Sequence, residues 1–252
     1  MFFSRSRKSA ARSTAFRIPE GQRVYAIGDV HGRFDLLRLL LERIEQHRSA
    51  TDPQRTQSRL VFLGDYIDRG TESREVIEAV RAGQEEQGWT CLTGNHEAML
   101  LAALDGQLDW EVWLANGGVE TLFSYGLSAR DFTASGRLDE LGPAITEAMP
   151  ASHLAFLRGL PTHVEVGDYF FCHAGVRPGV ALEQQSPEDL MWIRDVFLDS
   201  RSDHGKRIVH GHTPQMEPEI LPNRINVDTG AYLTNRLSCV ILEADQVQVI
   251  HT

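Results

Sequence analysis

No stretch of the chain approaches the roughly 18 consecutive apolar residues that a membrane-crossing helix requires, which speaks against a membrane partner. The first seventeen residues carry Arg5, Arg7, Lys8, Arg12 and Arg17 and no acid, but lack the apolar centre of a secretory signal. Residues 1–20 are therefore expected to form a loose basic tail, and the chain to be cytoplasmic. Cysteine is sparse: Cys91, Cys172 and Cys239 form no CxxC pair and each sits among apolar residues, the pattern of buried free thiols in a reducing compartment. Positive charge is in deficit, with 25 Lys and Arg against 35 Asp and Glu, and the net charge of −10 disfavours nucleic acid as a partner. The absence of any internal repeat or low-complexity tract excludes a solenoid.

What is present is an ordinary globular composition, 42% hydrophobic and 24% charged over 252 residues, which suits one core and one domain across residues 21–252. Val24 to Ile27 is a short apolar run ending in Gly28-Asp29, and Leu36, Leu37, Leu40, Leu41 and Ile44 then recur at helical spacing. The same strand, loop, helix order returns at Arg59–Leu63 before Gly64-Asp65, with a helix expected over 72–82, and at Trp89–Thr93 before Gly94-Asn95. Three such units predict a layered α/β fold. Further on, Thr162–Val166 and Tyr169–Cys172 flank Gly167-Asp168 as a hairpin, and short strands are expected at 207–209, 224–227, 237–242 and 247–250. Two packed sheets of mixed strands with outer helices fit this pattern. Residues 98–160 hold little strand signal and read as a helical insertion over one end of the core, capable of walling a cleft.

The chemistry concentrates where apolar runs end. Each ends in a glycine or a histidine beside potential metal ligands: Gly28-Asp29-Val30-His31-Gly32, Gly64-Asp65-Tyr66-Ile67-Asp68-Arg69-Gly70, Gly94-Asn95-His96-Glu97, His173-Ala174-Gly175 and His210-Gly211-His212-Thr213. One Gly-Asp pair is usually a turn and one histidine usually packing. Five clusters of oxygen and imidazole donors at strand ends, where α/β folds place their sites, point instead to a shared metal centre.

In this order the five motifs resemble the metallophosphoesterase superfamily and, more narrowly, the PPP phosphoprotein phosphatases with their bacterial and bacteriophage lambda-type members. The resemblance spans about residues 24–230 and is most specific at Gly64–Gly70 and Gly94–Glu97. It implies a two-sheet metallophosphoesterase sandwich and two divalent ions, Mn²⁺ first, with Fe or Zn as alternatives. It makes Asp29 and His31 ligands of one ion, Asp65 the bridge to both, and Asn95, His173 and His212 ligands of the other, with a hydroxide between the ions as nucleophile. It further implies His96 as the acid that protonates the leaving group, Asp68 as the carboxylate orienting it, and Arg69, Arg194 and Asn95 as binders of the substrate phosphate. His210 matches no ligand position.

The activity so implied is dephosphorylation of phosphoserine and phosphothreonine in proteins, with phosphotyrosine a further candidate and phosphoproteins or phosphopeptides as partners. A symmetrical diadenosine polyphosphate hydrolase is the rival enzyme, since it shares the scaffold and nearly all the ligands; Glu97, where those enzymes usually carry Asp, favours the protein phosphatase by one methylene. A phosphate sensor without turnover is the rival from another class, opposed by the complete set of ligands. A nuclease is opposed by the net charge. Oligomeric state has no signature in the sequence.

Overall fold

The computed structural model describes residues 16–51 and 57–252. Most of the basic tail expected at 1–20 lies outside these residues. Its last part does not behave as a tail: Ile18 is buried and its N–H donates to the Ala244 carbonyl at 2.8 Å, so the chain joins the fold ahead of residue 21.

The first half alternates β1 (Gln22–Ile27), α1 (Phe34–Ala50), β2 (Gln57–Phe62), α2 (Ser73–Gln87) and β3 (Thr90–Cys91). A helical segment follows, from α3 (Asn95–Leu104) through α4 (Trp110–Trp113), α5 (Val119–Ser124), α6 (Ala129–Thr133) and α7 (Leu141–Ala148) to α8 (Ala151–Arg158). The second half runs β4 (His163–Val166), β5 (Tyr169–Cys172), α9 (Pro187–Trp192), α10 (Asp195–Leu198), β6 (Arg207–His210), β7 (Glu219–Ile220), β8 (Arg224–Asn226), α11 (Ala231–Thr234), β9 (Ser238–Glu243) and β10 (Gln246–His251). No helix among the described residues is long and apolar enough to cross a membrane.

Two five-stranded sheets result, in the orders β10-β9-β1-β2-β3 and β4-β5-β6-β8-β7. Strands β1, β2 and β3 are parallel, as are β5, β6 and β8, while β9, β10, β4 and β7 run antiparallel to their neighbours. This is the mixed α/β sandwich expected from the sequence.

The continuous apolar strands follow from burial on both faces. In β1, Val24 and Ala26 pack between the sheets with Val61, Tyr169, Phe171, Val209 and Ile225, while Tyr25 and Ile27 point the other way, into a core with Leu37 and Leu40 of α1 and Val76 and Val80 of α2. In β5, Phe170 and Cys172 turn outward from the sandwich to meet Leu190 of α9, Ile193 and Phe197. The three cysteines are buried and free, as the sequence suggested.

Sheet pairing fixes function through one geometric fact. The parallel strands of both sheets end on the same side, so the loops after β1, β2, β3, β5 and β6 converge. The helical segment adds to that convergence. It is anchored in it, because Asn95 and His96 are the first residues of α3, and Gly117, in a π-helical turn at Leu114–Gly118 with φ +106°, accepts the Arg69 N–H at 3.1 Å through its carbonyl. A Cβ at position 117 would lie 2.7 Å from the Arg69 backbone nitrogen, so only glycine permits this approach.

Candidate metal centre

The loops carrying the site are held in conformations that side chains rarely adopt. His31, Asp65, Asp68, Arg69 and His212 all have positive φ, between +47° and +71°. Such backbone costs of order 1 kcal/mol or more per residue and persists where the surroundings enforce it, typically at functional loops. At Asp65 the enforcing group is Glu97. Its buried carboxylate accepts the N–H groups of Asp65 (2.9 Å), Tyr66 (2.8 Å), Ile67 (3.3 Å) and Gly94 (2.9 Å), tying the β2 and β3 loops together and capping α3.

Asp65 lies at the centre. Its Oδ2 is 3.4 Å from His31 Nε2 and its Oδ1 is 3.4 Å from His173 Nε2, so one carboxylate faces two separate clusters. His173 donates from Nδ1 to the Leu63 carbonyl at 2.9 Å, which leaves a lone pair on Nε2. Facing that lone pair are Asn95 Oδ1 at 2.8 Å and His212 Nδ1 at 3.2 Å. His31 likewise donates from Nδ1 to the Ile67 carbonyl at 2.8 Å and presents Nε2 to Asp65. Two groups thus gather ligand atoms within 4.8 Å of one another, His31 with Asp65 and His96, and Asp65 with His173 and His212.

These donor sets fit divalent cations. Lone pairs from Asn95, His173 and Asp65 converge beside His212 Nδ1, an arrangement that a cation among them would satisfy. The imidazoles are kept neutral, as ligands must be: burial holds His31 down to about 3 against the pull of Asp65, and burial together with His173 holds His212 down to about 2. Burial alone would lift the Asp65 carboxyl, but the imidazoles of His173, His96, His31 and His212 bring it below its usual range.

Asp29 occupies the adjoining position. Its carboxylate accepts the His212 N–H at 3.1 and 3.3 Å, and burial plus the charges of Asp228 and Asp65 push its own proton affinity well up. Asp228 has no counterpart among the sequence-derived candidates. It is 2% exposed, its Oδ1 accepts the Gly230 N–H at 2.8 Å, and burial foremost raises it to about 6. The signal for it was present: Val227-Asp228-Thr229-Gly230 follows β8 as Gly64-Asp65 follows β2, a sixth strand-end motif and the third that opens with an acid. Three buried carboxylates with few cations among them are a further demand for positive charge.

His96 stands beside this centre with Nε2 3.9 Å from Asp65 Oδ2 and Nδ1 2.7 Å from Asp68 Oδ2. Burial opposes its protonation, but Asp65 and the hydrogen bond to Asp68 raise it above the ordinary imidazole range. Asp68 is in turn held by the Trp113 indole N–H at 3.1 Å and the Thr121 hydroxyl at 2.7 Å. Trp113, which reads in the sequence as core or cleft wall, is fully buried and also supports this dyad.

Arg69 donates from Nη1 to His31 Nε2 at 3.0 Å. Arg194 precedes α10 and donates to Thr213 Oγ1 at 3.4 Å, in the loop that carries His212. His210 is not part of the cluster: its Nδ1 bonds the Gly211 carbonyl at 3.0 Å and its ring packs on Phe197. Of the other histidines, His153 is buried in a structural link, bonded to Tyr125 at 2.8 Å and Glu78 at 2.7 Å.

The chain is 30% identical over 229 residues to serine/threonine-protein phosphatase 1 of Salmonella typhimurium, covering 85% of this chain and 89% of that one. It is 26% identical over 229 residues to the asymmetrical bis(5'-nucleosyl)-tetraphosphatase PrpE of Bacillus velezensis, covering 84% and 86%. Its fold matches a cold-active protein-tyrosine phosphatase of a psychrophilic Shewanella species with a TM-score of 0.55 at 17% identity, over 94% of this chain and 82% of that one. The profile described as calcineurin-like phosphoesterase matches residues 22–250, nearly the whole described fold, and the chain belongs to that metallophosphoesterase family.

Proposed function

We propose that the chain is a two-metal phosphomonoesterase that dephosphorylates phosphoserine and phosphothreonine in proteins and peptides, with phosphotyrosine a further candidate substrate. The observation that carries the hydrolytic reading is Asp65 shared between two clusters of converging lone pairs, with the His96–Asp68 pair beside it. His31, Asp65 and Asp29 would hold one ion and Asp65, Asn95, His173 and His212 the other, with Mn²⁺ the first choice. When bound, two such ions supply Lewis-acid charge to phosphoryl oxygens and acidify water.

The chain's own residues do the remainder. Asp68 fixes His96 through Nδ1, leaving Nε2 turned toward Asp65 and the space beside it, where a departing alkoxide would need a proton. Arg69 adjoins His31, Arg194 adjoins Thr213 next to His212, and Asn95 precedes His96 and meets His173. Guanidinium groups suit phosphoryl oxygens because they donate two parallel hydrogen bonds. The monoester reading is supported by the 30% identity to serine/threonine-protein phosphatase 1.

A hydrolase of bis(5'-nucleosyl) tetraphosphates is the second reading, favoured by the likeness to PrpE. Glu97 no longer separates the two, because its carboxylate is occupied with four backbone N–H groups of the loops. The test is kcat/KM for a phosphoserine peptide and for diadenosine tetraphosphate in excess Mn²⁺, with Asp65→Asn as blank. At least tenfold preference for the peptide is expected; preference for the dinucleotide would replace the protein phosphatase reading with the nucleotide one.

A further inference from the structure

The sequence after β8 makes a tight excursion. Gly230 enters it at φ +62° and Asn235 leaves it at φ +57°, and between them the single turn α11 carries Tyr232. Arg33, two residues beyond His31, pins this turn by donating to the Ala231 carbonyl at 3.0 Å and to Asn235 Oδ1 at 2.8 Å. Asp35 holds Arg33 in place with bonds of 2.7 and 2.9 Å. The half-buried Tyr232 ring is thereby placed edge-on to His31, with ring centroids 5.2 Å apart, and beneath the Arg69 guanidinium, whose central carbon lies 4.7 Å from the ring centroid.

From this we propose that Tyr232 is the positioning residue of Arg69, holding the guanidinium over the site for a phosphoryl group. The inference rests on the reading of Arg69 as a phosphate binder. Among the described residues the guanidinium has two close partners, the His31 Nε2 lone pair and the Tyr232 face. The first is a lone pair that a metal ion also requires, so the ring is the partner that does not compete with metal binding. A cation over an aromatic face is attracted by the ring quadrupole and keeps its N–H groups, which lie in the guanidinium plane, free for phosphoryl oxygens. The Tyr232 hydroxyl makes no hydrogen bond among the described residues, so the ring rather than the hydroxyl carries the role.

The test is the dissociation constant of inorganic phosphate for the Mn²⁺-loaded protein, measured by calorimetry with metal content assayed on the same samples. Tyr232→Ala should weaken phosphate binding about three- to tenfold, from the size of one cation–π contact, at unchanged metal content. Tyr232→Phe should bring the constant back to within about twofold of the parent, on the same reasoning that the ring face is what matters. With Arg69→Ala in the background, removing the Tyr232 ring should add nothing. Unchanged phosphate binding in Tyr232→Ala, an equal loss with or without Arg69, or a loss that tracks lost metal would each overturn the proposal. Unchanged phosphate binding in Arg69→Ala would overturn the reading of Arg69 beneath it.

Discussion

Asp68 and His96 form a buried pair, Oδ2 to Nδ1 at 2.7 Å, and the Trp113 indole N–H donates to the same Asp68 oxygen at 3.1 Å. This links the helical segment to His96, the acid of the proposed reaction. His96→Asn is expected to lower kcat by roughly 10²–10⁴-fold with metal retained. Trp113→Phe removes the N–H together with part of the buried ring, and should lower kcat about tenfold, ~1.4 kcal/mol of transition-state stabilisation, beyond any loss of stability. Steady-state kinetics with metal analysis on both variants checks this; metal loss in His96→Asn would make His96 a ligand rather than the acid.

Glu97 acts on the loops and not on the substrate. Glu97→Asp, one methylene shorter, cannot keep all four N–H bonds at once, and unfolding stability should fall by about 1–3 kcal/mol. The ratio of kcat/KM for phosphopeptide and dinucleotide should not change. A changed ratio at unaltered stability would restore Glu97 as a selector of substrate.

Two glycines are required by the carboxylates of Asp65 and Asp29, the proposed ligands. A Cβ at Gly94 would lie 2.1 Å from Asp65 Oδ1, and one at Gly211 would lie 2.1 Å from Asp29 Oδ1. Gly94→Ala and Gly211→Ala should each weaken metal binding about 10- to 100-fold, the range seen when ligand orientation is disturbed. Gly142→Ala, whose added carbon meets only Trp110 at 3.4 Å, is the control. Metal titration on the three variants decides, and equal affinity throughout would contradict the packing argument.

The pH dependence of folding carries a signature of His210. Burial first, then the Arg224 cation, hold its imidazole down to about 3. An unfolded chain protonates an ordinary histidine near pH 6.5, so below that pH the unfolded state binds a proton that the folded state refuses until about pH 3. Stability from this group is complete above pH 6.5 and declines by about 1.4 kcal/mol per pH unit on the way down. In EDTA, the stability lost between pH 7.5 and pH 5 should be about 2 kcal/mol smaller in His210→Asn than in the parent. Equal losses from urea midpoints would show that His210 does not titrate as its burial requires.

The sequence made the strand ends legible because burial on both faces leaves short apolar runs, and each run stops at a glycine or histidine beside the clustered donor residues. It was less informative where a residue's partner is distant in the chain. Trp113 meets Asp68 across 45 positions and Tyr232 meets Arg69 across the two sheets' loops, and neither relationship leaves a local pattern. Asp228 was readable in principle, but the short strand before it and the valine, rather than glycine, that precedes it hid its likeness to the other loops. The helix lengths were underestimated for a different reason: α1 and α2 continue to Ala50 and Gln87 as polar last turns, beyond the apolar stripe that marks them in the sequence. Strand β7, two residues long, has no periodicity to read.

The measurement that tests the central claim most directly is the Mn²⁺ content per chain of the parent, Asp65→Asn and His96→Asn proteins after dialysis against a fixed free-metal concentration. With Asp65 shared by both clusters, the parent and His96→Asn should hold two ions and Asp65→Asn should lose both together. Two ions of unchanged affinity in Asp65→Asn would contradict a centre built around that carboxylate.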